Sequence, residues 1–101
     1  LIVHRDALIK RFEFCYDLIW KFYKLLLVKE YAIDVASPKK VFQEGYQQNI
    51  FTKEDIEVLF EIIDARNETT HVYDEMVAET ISKKILMFTP FLEKLLKKIH
   101  L

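Results

Sequence analysis

Glycine is almost missing from this sequence, with Gly45 the one example in 101 residues. Walker-type phosphate loops and dinucleotide fingerprints need several backbone positions without a Cβ, so the chain does not hold a nucleotide in that way. Cysteine is as scarce. Cys15 alone excludes an internal disulfide and a multi-cysteine zinc site, and such usage fits a reducing cytoplasm. Neither sign of charge dominates: 15 Lys and Arg face 16 Asp and Glu, a net −1 at pH 7. Bulk charge therefore gives no attraction to nucleic acid, and any RNA contact has to be local. The longest apolar runs, such as Leu25 to Val28, fall far short of the ~18 residues that cross a bilayer, and no signal peptide is visible. No membrane partner is expected. His4, His71 and His100 are widely dispersed and no His-Glu-x-x-His pattern occurs, so neither a metal site nor a cofactor is expected. The first residue is Leu1 rather than Met, so a further N-terminal segment is expected.

What the sequence does contain is apolar surface: 51% of positions are hydrophobic and 14% aromatic. That composition predicts one domain over residues 1–101. Folding at this size hides roughly 60–70% of the chain's surface, so an apolar helix face left over is expected to meet a second subunit.

The periodicity is helical throughout. Leu8, Phe12, Cys15, Ile19, Phe22 and Leu26 recur at steps of three and four, opposite Lys10, Glu13, Asp17, Lys21 and Lys24, predicting a helix over about Arg5 to Lys29. Phe14, Tyr16, Trp20 and Tyr23 then cover a second face. Aromatic residues interleaved with charges can stack RNA bases, but core or subunit interface is the simpler use at this spacing. Ser37-Pro38 reads as an N-cap with proline at the first helical position, opening a short helix that carries Val41, Phe42 and Tyr46 and weakens at Gly45. Thr52 and Asp55 form an imperfect capping box before a helix running to about Arg66, with Ile56, Leu59, Phe60 and Ile63 as its stripe. A last long helix is expected from near Thr69 or Thr70, with Val72, Met76, Ile81 and Ile85 inward. Thr89-Pro90 then either kinks it or starts a separate helix bearing Phe91, Leu92, Leu95, Leu96 and Ile99. The fold class is all-α, an up-and-down antiparallel helical bundle of four to five helices.

Polar function concentrates between Asp64 and Glu75. On an unbroken helix Arg66 and Tyr73, seven residues apart, share nearly one face, with His71 about 140° round from Arg66. Asn67, Thr69 and Thr70 are N-cap types, so a break there can swing the imidazole toward the guanidinium. Arginine beside histidine is the smallest set that cleaves a phosphodiester without metal. Arginine neutralises the phosphoryl oxygens, and an imidazole that titrates near neutrality moves the 2′-hydroxyl or leaving-group proton. Asn67 can hold either group by hydrogen bonding. The structural alternative is that Arg66 and His71 only cap helices or face solvent, with Tyr73 a partly buried aromatic.

Three separated segments carry a resemblance: Arg11-Phe12-Glu13-Phe14 followed by Trp20-Lys21; Ser37-Pro38; and Arg66-Asn67-x3-His71-x-Tyr73-Asp74-Glu75. In order and spacing they resemble the nucleotidyltransferase substrate-binding proteins, a branch of the HEPN superfamily, over about Asp6 to Leu96. The resemblance implies a dimerising helical bundle encoded in prokaryotes beside a minimal nucleotidyltransferase. Related members are toxins, metal-independent endoribonucleases whose site forms where two Arg-x4-His motifs face each other across a homodimer. Arg66 and His71 would then be the catalytic pair and Asn67 an accessory polar residue. Tyr73 would be the hydroxyl that the transferase modifies with AMP, silencing the toxin. The other function attached to the same resemblance is a non-catalytic subunit that presents substrate to the transferase.

Overall fold

The computed structural model describes the backbone of residues 2–99 and the side chains of residues 4–99. His100, one of the three histidines, lies outside the described residues. Four α-helices follow in order, α1 (Ile2–Tyr31), α2 (Pro38–Gln47), α3 (Lys53–Glu68) and α4 (Glu75–Lys97), with one 3-10 turn, Thr69–His71, between the last two. The expected all-α bundle forms, and the long axis of the molecule is 44 Å, about the length of α1.

Local chemistry explains the starts. Ser37 caps α2, its side chain accepting from Lys40 N at 3.3 Å, with Pro38 at the first helical position. Thr52 and Asp55 make a complete capping box in front of α3, each side chain accepting the other's backbone N–H at 3.1 Å. Proline does not interrupt α4, which continues through Pro90 to Lys97. The carbonyl that Pro90 leaves without a donor is that of Leu86, an exposed residue that water can serve.

The stops show how a chain with one glycine ends its helices. Ala32 takes the left-handed conformation (φ 56°) just past α1, and Ile33 N donates back to Leu27 O at 3.0 Å. Asn49 does the same after α2, at φ 63°. Asparagine tolerates that region, but alanine is strained there by roughly 1 kcal/mol. Replacing Ala32 by glycine is expected to stabilise the protein by about 0.5 kcal/mol, raising the thermal midpoint by a few degrees; an unchanged or lowered midpoint would show the strain to be absorbed elsewhere.

Side-chain contacts give the helix directions. Arg5, near the start of α1, holds both carboxylate oxygens of Glu75, the first residue of α4, at 3.0 Å, so these helices start at the same end. Lys94 near the end of α4 lies 3.7 Å from Asp55 near the start of α3, so α3 and α4 run oppositely. Between α1 and α2 the extended segment 32–37 runs back along α1, with Asp34 beside Lys24 at 3.3 Å. This strap returns the chain toward mid-bundle, so α2 again runs the way α1 does while α2, α3 and α4 alternate.

One continuous core fills the bundle, and α1 supplies Ile9, Phe12, Tyr16, Ile19, Tyr23 and Leu27 to it. That stripe is rotated from the expected one. Tyr16 and Tyr23, assigned to a second face, are buried, whereas Cys15, Phe22 and Leu26 are only partly covered. The reason is that α1 is apolar on most of its circumference, so periodicity alone does not select the inward third. Of the aromatics assigned to the second face, Phe14 alone is prominently exposed, at 67%. In α3 the buried set is Ile56, Leu59, Ile62 and Ala65, with Phe60 and Ile63 half-buried. Gly45 does not weaken α2 but lies inside it: a Cβ there would come within 2.5 Å of the Phe51 ring. Glycine is needed for close approach, not for a turn.

Candidate functional site

The polar segment forms the junction of α3 and α4. Its two threonines do not cap the last helix. Thr69 Oγ1 donates to Arg66 O at 2.6 Å and Thr70 Oγ1 to Asn67 O at 2.9 Å, both closing back onto the end of α3. This satisfies carbonyls left over at the helix end and carries the chain into the 3-10 turn. The cap of α4 is Asp74, whose Oδ1 accepts from Met76 N at 2.9 Å and Val77 N at 3.3 Å. The last helix accordingly starts at Glu75, several residues later than Thr69 or Thr70. A carboxylate at this position also meets the positive end of the helix dipole. Met76, expected on the inward face, is exposed.

Arg66, in the last turn of α3, points to α1. Its Nη1 donates to Thr69 Oγ1 at 2.9 Å and lies 3.1 Å from Glu13 Oε2, and the guanidinium carbon stands 5.9 Å from the centre of the Tyr16 ring. Thr69 Oγ1 is also 3.2 Å from Glu13 Oε2. One hydroxyl has one proton, so the short bond to the Arg66 carbonyl competes with the longer one to Glu13. Arg66 Nε is buried and has no hydrogen-bond partner among the described residues. Burial pushes the Tyr16 phenol above its ordinary pKa, while the nearby Arg66 charge acts in the opposite direction. Arg66 and Glu13 keep 27% and 32% of their side-chain surface in solvent, so the pair is reachable from outside.

His71 ends the 3-10 turn and is exposed. Its Nδ1 lies 3.5 Å from the Tyr73 hydroxyl, the outer limit of a hydrogen bond, and the two rings meet edge-on with centroids 6.0 Å apart. Tyr73 is 83% exposed and so is not the partly buried aromatic weighed from the sequence. No hydrogen bond joins Arg66 to His71 among the described residues. Asn67 makes no side-chain hydrogen bond to either; it lines an open groove of about 530 Å³ with Asp64, Met76, Thr80 and Lys84. Among the described residues no three His, Cys, Asp or Glu side chains are grouped to hold a metal ion. No described helix is long and apolar enough to cross a membrane.

Sequence reading missed Glu13 and Thr69 as the partners of Arg66. Periodicity places Glu13 on the solvated face, yet it sits four residues after Ile9 and three before Tyr16, both buried, so it borders the inward stripe. A carboxylate set between Phe12 and Phe14 was the available signal.

The family model described as nucleotidyltransferase substrate binding protein like matches residues 2–100. A crystal structure of a protein from Thermus thermophilus superposes with a TM-score of 0.86 at 28% sequence identity, covering 95% of this chain and 81% of that one. Comparison with curated proteins finds no match. With the family model matching residues 2–100, the chain belongs to the nucleotidyltransferase substrate-binding protein family.

Proposed function

We propose that this chain is the HEPN-type subunit of a cytoplasmic two-component system with a minimal nucleotidyltransferase. As a homodimer it is a metal-independent endoribonuclease toxin, and the transferase restrains it by moving AMP onto Tyr73. The observation that carries this reading is the 83% exposed Tyr73 with His71 Nδ1 3.5 Å from its hydroxyl, so that the acceptor hydroxyl and the proton carrier are neighbours.

In RNA cleavage, the 2′-oxygen attacks the adjacent phosphorus, its proton passes to one imidazole, and the bond to the 5′-oxygen breaks as that oxygen takes a proton from the other protomer's imidazole. The products are a 2′,3′-cyclic phosphate and a 5′-hydroxyl. Arg66 stabilises the charge gathering on the non-bridging oxygens, and Asn67 orients the backbone. In silencing, the Tyr73 phenolic oxygen attacks the α-phosphorus of ATP, pyrophosphate leaves, and the phenol proton passes to His71. The attached adenylate adds bulk and a negative charge against the imidazole.

The test uses the protein with its transferase and ATP. Wild type gains the mass of one adenylate and stops cleaving RNA, whereas Tyr73→Phe gains none and keeps cleaving. Equal labelling of Tyr73→Phe removes Tyr73 from this role.

A second reading is favoured by the family description and by the Glu13 and Thr69 contacts that occupy Arg66 Nη1. In it the chain is a non-catalytic subunit that positions substrate for the transferase, the Asn67 groove facing that substrate. It predicts transferase turnover that depends on this chain, and turnover unchanged by its addition counts against it.

A further inference from the structure

We infer that Glu13 and Thr69 are positioning residues for Arg66, and that the Glu13 carboxylate stands against the guanidinium as an internal competitor of a phosphate. The inference rests on the ribonuclease reading for its catalytic consequence and on geometry for its substance. Glu13 comes from α1 and Thr69 from the 3-10 turn, 56 residues apart, and both converge on one nitrogen, Arg66 Nη1, at 3.1 and 2.9 Å. The Tyr16 ring, 5.9 Å away, completes the frame. Apart from the tyrosines, Thr69 is the one buried polar residue among the described residues, and its hydroxyl closes the end of α3 while it accepts from Arg66. A buried hydroxyl with that partner set fixes a rotamer.

The arrangement leaves the opposite edge of the guanidinium, Nε with Nη2, without a protein acceptor. Nε has no partner, and no hydrogen bond from Nη2 is formed among the described residues. Because Nε is itself buried, Nη2 is the donor left open to a phosphate oxygen. Held by Nη1, the guanidinium has one orientation. Paired with Glu13, it carries less net charge than a free guanidinium, so the carboxylate lowers affinity for an anion while raising the fraction of bound anion that sits correctly. These opposed effects separate positioning from mere structural support.

Glu13→Gln keeps the shape and a carbonyl acceptor but removes the charge. It is expected to bind a 2′-O-methyl oligoribonucleotide, which lacks the attacking hydroxyl, about two- to fivefold more tightly. Cleavage of the matching RNA falls about tenfold in kcat, because the guanidinium is less well fixed. Thr69→Val removes the hydroxyl and no charge, so kcat falls similarly with affinity unchanged, and Thr69→Ser restores kcat. Glu13→Gln and Thr69→Val both within twofold of wild type in kcat, or Glu13→Gln binding more weakly, overturns the inference. If the wild type cleaves no RNA, the ribonuclease reading fails by itself and the guanidinium resonances of Arg66 decide the positioning. Separate Nη–H signals in wild type that average in Glu13→Gln support it, and signals averaged in both proteins overturn it.

Discussion

His71→Ala is expected to lower RNA cleavage about 10²- to 10⁴-fold, the usual contribution of a positioned proton carrier, with almost no effect on folding. The separation follows from exposure. His71 lies on the solvent side of the 3-10 turn, and the one side-chain hydrogen bond it makes among the described residues, to the Tyr73 hydroxyl, is at 3.5 Å. Removing it disturbs no core packing, so the thermal midpoint should move by no more than about 3 °C. Arg66→Ala is expected to abolish cleavage too, but it leaves the half-buried Glu13 carboxylate without its cation and Thr69 without a donor, which costs about 1–2 kcal/mol of stability. His71→Ala is therefore the sharper variant. Both are read on a labelled RNA at equal protein concentration, well below either midpoint. Cleavage equal in wild type and both variants would assign it to a contaminant and remove the nuclease from the function, leaving the substrate-presenting subunit.

Much of the architecture was legible because it is written in short-range chemistry. Ser37-Pro38 and the Thr52–Asp55 box are local signals, and both helices start where they predict. The failures occurred where another contact, local at the threonines and tertiary elsewhere, outweighs the expected preference. Thr69 and Thr70 are good caps by type, but their hydroxyls are taken by carbonyls three residues back, which passes the cap to Asp74. Gly45 reads as a weak point in a helix until the Phe51 ring is seen against it. Along α1 the apolar residues encircle the helix, so only the arrangement of α2, α3 and α4 decides that Tyr16 and Tyr23 face inward while Phe14 and Leu25 do not.

The candidate site was legible to a different degree. The residue types between Arg66 and Tyr73 named a chemistry, but spacing did not show which side chains pair. The break in the helix turns Arg66 toward α1 and His71 toward Tyr73, so within one protomer the two groups face different neighbours. The proposed dimer supplies a reason for that division. Each protomer fixes its own arginine through Glu13 and leaves its imidazole exposed, and a twofold axis beside the junction would bring two arginines and two imidazoles to one groove.

Folding and chemistry are separable along the molecule, and Phe42→Ala tests this at the other end. Phe42 is fully buried on α2, its ring 5.9 Å from that of Phe51, which lies 4.8 Å from Tyr23. These three aromatics tie α2 and the turn before α3 to α1, and Gly45 lets the Phe51 ring reach its place. Truncating Phe42 leaves a cavity that locked aromatic neighbours cannot fill, at a cost of about 3–5 kcal/mol. For a chain of this size that is a large part of the total stability, so the thermal midpoint should fall by about 15–30 °C. Phe42→Leu, which keeps most of the volume, should lose about 1.5 kcal/mol. Tyr23 and Glu13 are ten residues apart on α1, about 15 Å. Phe42→Ala should therefore retain the wild-type rate of any RNA cleavage at temperatures where it is folded. A loss below 1 kcal/mol in denaturant unfolding would mean that α2 is held by the strap from Ala32 to Ser37 rather than by its aromatic contacts.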